Sequence, residues 1–223
     1  SGTHDKYDAF GRAVSLNDDA SAIAIGASGD DGYSSSANDS STNNYGAVHL
    51  YTFSDTSFSS PSMVGTIGSG YTGTNDVNAS LSTNDYFGHS VINADSLLIV
   101  GAYQDNDSGS VYIYEKNGTS WNLFQKLIAN DGQPGDQFGF SISYSGTHII
   151  VGAPMTDDNG ANSGAVYVFE HNGVNWFQLD KLTASDGLGG ETFGYSLDIS
   201  GNVLVAGAKS DNDNGTNSGS AYI

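Results

Sequence analysis

The chain has 223 residues, 25 Asp and Glu against 6 Lys and Arg, a formal charge of −19, and no Cys. That charge repels phosphate backbones and excludes nucleic acid as a partner, while favouring divalent cations and basic proteins. Disulfides, thiolate metal sites and Cys nucleophiles are excluded, and the longest apolar run, near Leu97–Val100, is too short for membrane insertion.

The predicted elements repeat four times in chain order. The first copy opens with Asp8, Phe10, Gly11 and Val14, continues through Ala22–Gly26–Ala27, and reaches Gly46, Val48 and Tyr51. The second has Asp85, Phe87, Gly88 and Val91, then Leu97–Val100 with Gly101 and Ala102, then Gly109, Val111 and Tyr114. The third has Asp136, Phe138, Gly139 and Ile142, then His148–Val151 with Gly152 and Ala153, then Gly164, Val166 and Phe169. The fourth has Glu191, Phe193, Gly194 and Leu197, then Val203, Gly207 and Ala208, then Gly219 and Tyr222. Outer strands follow at Ser62–Ile67, Trp121–Leu127 and Trp176–Leu182. Four short strands in a unit of roughly 50 residues are the signature of a propeller blade.

The second strand of each copy is nearly all apolar, as a strand covered on both faces should be, and the third alternates. The Gly residues beside Phe and before Ala permit bulges or close backbone approach, and the Phe rings fill gaps between sheets. The predicted fold is an all-β propeller-type domain over residues 1–223, with blades near 8–75, 76–130, 131–185 and 186–223. The fourth copy lacks an outer strand, and Ser1–Tyr7 is a poor candidate to supply it. The ring is therefore expected to be small and closed, partial, or completed by another chain.

The Phe-Gly step with the later Gly-Ala step, written in full at Gly152–Ala153–Pro154, resembles the FG-GAP repeat. That resemblance implies the propeller of integrin α-subunits and of bacterial surface or secreted proteins. It further implies an extracellular or cell-surface location and an adhesive role. Integrin-type repeats carry a calcium loop before the Gly-Ala strand. Here that slot holds short turns such as Asn93–Ser96 and Tyr144–Thr147, which lack the oxygens calcium needs.

The acids gather elsewhere. Antiparallel connectivity puts the second-to-third loops on the same rim as the fourth-to-first loops. The former carry Asp30, Asp31 and Asp39, Asp105 and Asp107, Asp157 and Asp158, and Asp211 and Asp213. The latter carry Asp76 and Asp85, Asp131 and Asp136, and Asp186 and Glu191. Calcium is the expected cofactor, with Asp30, Asp31, Asp105, Asp107, Asp157, Asp158, Asp211 and Asp213 as candidate ligands; the alternative is Asx turns closed by the same side chains. The residue after each Phe-Gly, namely Arg12, His89, Phe140 or Tyr195, varies between copies and reads as surface. Trp121 and Trp176 read as packing residues, with a sugar platform as the alternative.

No G-x-S-x-G, H-E-x-x-H or phosphate-cradling motif occurs, so the chain is not expected to be an enzyme. The expected function is a binding or adhesion module with an acidic rim for calcium and a protein or glycan ligand. Two alternatives are a surface layer or filament subunit self-associating through blade edges, and a propeller accessory to a secreted hydrolase or lyase.

Overall fold

The structure is a computed structural model and describes residues 7–33, 43–55 and 58–223. Asp39 and all but the last residue of the Ser1–Tyr7 segment lie outside the described residues. The protein is all-β, with four antiparallel sheets and a single 3-10 turn at Asp105–Asp107 among the described residues.

The first sheet holds β1 (Phe10–Leu16), β2 (Ala22–Ala27), β3 (Ala47–Thr52) and β4 (Ser62–Gly68), with β5 (Val77–Asn78) added in parallel. The second holds β6 (Ser90–Ala94), β7 (Leu97–Ala102), β8 (Ser110–Asn117) and β9 (Ser120–Leu127). The third holds β10 (Ser141–Tyr144), β11 (His148–Ala153), β12 (Ala165–His171) and β13 (Trp176–Leu182). The fourth holds β14 (Phe193–Ser200), β15 (Val203–Ala208) and β16 (Ser220–Tyr222). Strands neighbour one another in sequence order, as in a propeller blade. By packing, the chain divides into two units, residues 1–105 with 112–126 and residues 106–111 with 127–223.

The apolar second strands β7 and β11 lie at the heart of their units, whereas β15 leaves Val203 and Val205 exposed. Leu98, Ile99 and Val100 are fully buried in one, and Ile149, Ile150 and Val151 are buried in the other. Both faces of these strands are covered, which explains why they show no polar alternation.

One step joins successive copies. The amides of Phe87, Phe138 and Phe193 donate to the carbonyls of Tyr45, Ser108 and Ser163, at 3.1, 2.8 and 2.9 Å. The residue after each acceptor is Gly46, Gly109 or Gly164, and each forms an isolated parallel bridge with the matching Phe. These glycines are left-handed, and a Cβ there would sit inside contact distance of the Phe carbonyl. The Gly of the Gly-Ala step is equally constrained, because a Cβ on Gly26 or Gly152 would collide with the carbonyl of Gly88 or Gly194.

Phe87, Phe138 and Phe193 are buried, each with its ring centroid 5.3 Å from that of Tyr112, Tyr167 or Tyr222 in near-perpendicular contact. Phe10 differs. It is 41% exposed, and its neighbour at the matching position is His49, at 5.6 Å.

Replacing Gly164 with Ala adds left-handed strain and a backbone collision, for an expected loss of about 2–5 kcal/mol. Gly173 has a similar φ of +90° but open space around it, so Gly173→Ala should cost only about 1–2 kcal/mol. Urea unfolding of the two variants checks this, and equal losses would contradict the close-approach argument.

Candidate functional site

The acidic rim is built from three recurring positions in the copies. The first is the acid two residues before each Phe-Gly: Asp8, Asp85, Asp136 and Glu191, all buried. The carboxylates of Asp85, Asp136 and Glu191 accept the amides of Ser82, Gln133 and Leu188, at 2.6, 2.7 and 2.7 Å. These acids close the fourth-to-first turns, each through one carboxylate oxygen.

The second position is the first acid of the second-to-third loop. Asp30, Asp105 and Asp211 are buried here, and Thr156 takes the place in the third copy. Asp30 accepts the Gly32 amide and the Tyr71 hydroxyl, both at 2.8 Å. Asp105 accepts the Tyr112 hydroxyl at 2.6 Å and pairs with Lys126 at 2.5 Å. Asp211 accepts the Asp213 amide at 2.9 Å and the Tyr222 hydroxyl at 3.0 Å.

The third position is the lysine of the outer strand. Lys126 serves Asp105. Lys181 reaches Asp131 and Asp158, both at 2.6 Å, beneath the Tyr167 hydroxyl that donates to Asp131. Thr66 stands opposite His49 in the first copy and accepts or donates a 3.1 Å hydrogen bond instead.

The remaining candidate ligands are spread apart. Asp31 accepts the Asn44 amide and Asp157 the Asn162 amide, each at 2.8 Å. Asp107 is exposed, and its backbone carbonyl takes the Gly135 amide. Among the described residues one cluster suits a cation: Glu191, Asp211 and Asp213 bring ligand oxygens within 4.8 Å of one another. Glu191 belongs to the turn-closing set, so sequence spacing gave no reason to add it to the candidate ligands.

The electrostatics follow from these contacts. The Asp213 amide, then the Tyr222 and Ser220 side chains, hold the Asp211 carboxyl below the usual range despite burial. Burial alone would raise Asp131, but the bonds from Lys181 and Tyr167 outweigh it and lower that carboxyl. Burial also acts to lower Lys181, and its bonds to Asp131 and Asp158 raise it well above the ordinary amine value. Burial, with help from Asp186 and Asp211, raises the Tyr222 phenol, which therefore keeps its proton.

The residues after Phe-Gly pair with one another, with Arg12 exposed and His89, Phe140 and Tyr195 partly buried. Arg12 bonds His89 at 2.9 Å, and Phe140 packs on Tyr195 at 4.9 Å. Burial and the Arg12 charge lower His89 to about 4, so it is neutral at pH 7. Sequence variation between copies here reflects exchange of one packed pair for another. Trp121 and Trp176 are 7% and 5% exposed, with Trp176 against His171 and Tyr144.

The sequence profile of the FG-GAP repeat matches residues 79–114, 121–169 and 176–223, more than half of the chain. The chain belongs to the FG-GAP repeat family. Rat integrin alpha-7 is 27% identical over 154 residues, and mouse integrin alpha-7 is 26% identical over the same length. Each match covers 60% of this chain and only 13% of the integrin. Among solved structures, Sqt1 of Saccharomyces cerevisiae superposes with a TM-score of 0.49 at 15% identity, over 93% of this chain and 44% of its own. A candidate 6-phosphogluconolactonase from Bacteroides uniformis gives 0.49 at 11%, over 96% and 56%. Neither structure bears on function. Within the FG-GAP family, this chain's acids sit on the second-to-third loops and the fourth-to-first turns.

Asp85 supplies a pH test. Burial pushes its carboxyl up to about 6, with the Asp105 charge adding and the Ser82 amide and Lys126 opposing. The folded state then holds a proton that the unfolded chain has lost above about 4, so this stabilisation is present below that pH and is lost as pH rises through about 6. Asp85→Asn keeps an acceptor for Ser82 and removes the titration. Its melting temperature should gain on the wild type between pH 4 and 7, and a constant difference would contradict the assignment.

Proposed function

We propose that this FG-GAP chain is a non-enzymatic binding module of an extracellular or cell-surface protein, with an acidic rim that takes calcium and a basic protein ligand. The cluster of Glu191, Asp211 and Asp213 carries the reading. The three carboxylates offer one oxygen each within reach of a shared ion, and calcium takes six to eight, the balance from backbone carbonyls or water. Hydrogen bonds keep Asp211 ionised, and Asp213 is exposed to an entering ion.

The lysines set the expected number of sites. Lys126 pairs with Asp105 and Lys181 is shared by Asp131 and Asp158, so about one calcium per chain is expected rather than one per copy. A protein ligand is favoured over a glycan because both Trp residues that would stack on a sugar are buried. The chain's charge of −19 attracts a basic surface and accelerates its encounter.

Calorimetry after chelator treatment tests the metal. The wild type should bind one calcium, and at about a hundred times Kd the ion should add ~2.7 kcal/mol of stability. Asp213→Asn should abolish the heat while leaving the melting temperature of the metal-free protein unchanged. Absence of both heat and thermal shift in the wild type would refute calcium binding.

A further inference from the structure

We propose that a cavity between the first two sheets binds a small, uncharged aromatic ring bearing an amide, held by the side chain of Asn93. The site begins with an exception in the repeat. Asn93 stands six residues after Phe87, where the other copies have Leu16, Tyr144 and Ile199. Only the second copy places an amide there.

The third copy shows what a ring does at this position. Tyr144 pairs with Ile149 as Asn93 pairs with Leu98. The Tyr144 ring meets Trp176 in edge contact, with 6.2 Å between centroids and 67° between planes. Trp121 matches Trp176, each five residues before the lysine of its outer strand. Asn93 has no ring to set against Trp121, and a cavity of about 190 Å³ opens instead, walled by these two residues with Ile23, Leu50 and Val64. Val64 joins this wall as the extra residue of a β-bulge, since Leu50 pairs with Gly65 and Tyr51 with Met63. All of these walls belong to the first unit.

The walls fix the chemistry of the ligand. An apolar cavity of about 150 Å³ accepts benzene, so this one takes a single ring with a short substituent. Asn93 is 5% exposed, and its side-chain amide has no hydrogen-bond partner among the described residues. A buried amide left unmet is costly. A ligand amide meets it twice, donating to the Asn93 side-chain oxygen and accepting from its NH2 group. Asp95 and Lys116 are exposed where they line the cavity. A charged ligand would therefore meet attraction and repulsion together while losing its hydration, which favours an uncharged one.

Benzamide is the probe, titrated into the whole protein in EDTA and followed by ligand-detected NMR and thermal shift. We expect saturable binding, with benzoate about tenfold weaker. Asn93→Leu introduces the side chain of the first copy, which removes the amide and keeps most of the space. This variant should bind benzamide about tenfold more weakly than the wild type. It should melt no lower, because no hydrogen bond within the protein is lost. Asn93→Tyr supplies the ring of the third copy and should close the site to benzamide. Absence of benzamide binding to the wild type would overturn the proposal, since water alone would then serve Asn93. Equal binding of benzamide by Asn93→Leu or Asn93→Tyr would overturn it, as would benzoate binding as tightly as benzamide. A lower melting temperature for Asn93→Leu would also count against it, by showing that Asn93 serves the fold. Failure here leaves the calcium reading untouched, because the two are measured under opposite metal conditions.

Discussion

The bond from each Phe amide to a carbonyl of the preceding copy is the constraint on which the rest depends. It is made three times, at Phe87, Phe138 and Phe193, and each time the residue beside the acceptor is a left-handed glycine with no room for a Cβ. Because backbones meet there, the sheets approach too closely for side chains to intervene. The Phe ring must then turn onto the aromatic residue of the third strand, which accounts for the repeated 5.3 Å contact. The turn-closing acids belong to the same device. They tie down the loop two residues before Phe, and so fix where the amide points.

That device also sets the chemistry of the rim. With the first acid of each second-to-third loop buried beside a third-strand aromatic or histidine, an isolated carboxylate would be costly. The copies solve this differently. The first uses the Tyr71 hydroxyl beside a hydrogen-bonded His49–Thr66 pair, and the second brings Lys126 to Asp105. The third replaces the acid with Thr156 and moves the charge to Asp131 and Asp158, under Lys181. Only the fourth gathers acids around Tyr222 and Asp211 without a lysine among its described contacts. Many of the rim's acids are thus tied into scaffold hydrogen bonds and ion pairs, and one copy gathers three of them into a cluster.

Much of the fold was legible in the sequence because the glycines and apolar strands repeat. Phe-Gly, Gly-Ala and the runs Leu97–Val100 and His148–Val151 mark residue types that geometry forces. The rim was less legible. Asp105 and Asp211 share a D-N-D pattern, yet one meets a lysine from a distant strand and the other does not. That difference depends on register, which spacing within a loop does not encode. The role of Asp85, Asp136 and Glu191 was hidden for a similar reason, since an acid before Phe looks the same whether it caps a turn or faces solvent. The left-handed residue ahead of each Phe was invisible too. Ala9, Tyr86, Gln137 and Thr192 have φ between 53° and 61° but share no chemistry.

Residue-resolved hydrogen exchange tests the central claim most directly. If the Phe-to-carbonyl bonds hold successive copies together, the amides of Phe87, Phe138 and Phe193 should exchange as slowly as those in the buried strands around Val100 and Val151. Exchange of these three amides at the rate of an open turn such as Gly118 would contradict the account, because the constraint on which it rests would not be holding the sheets.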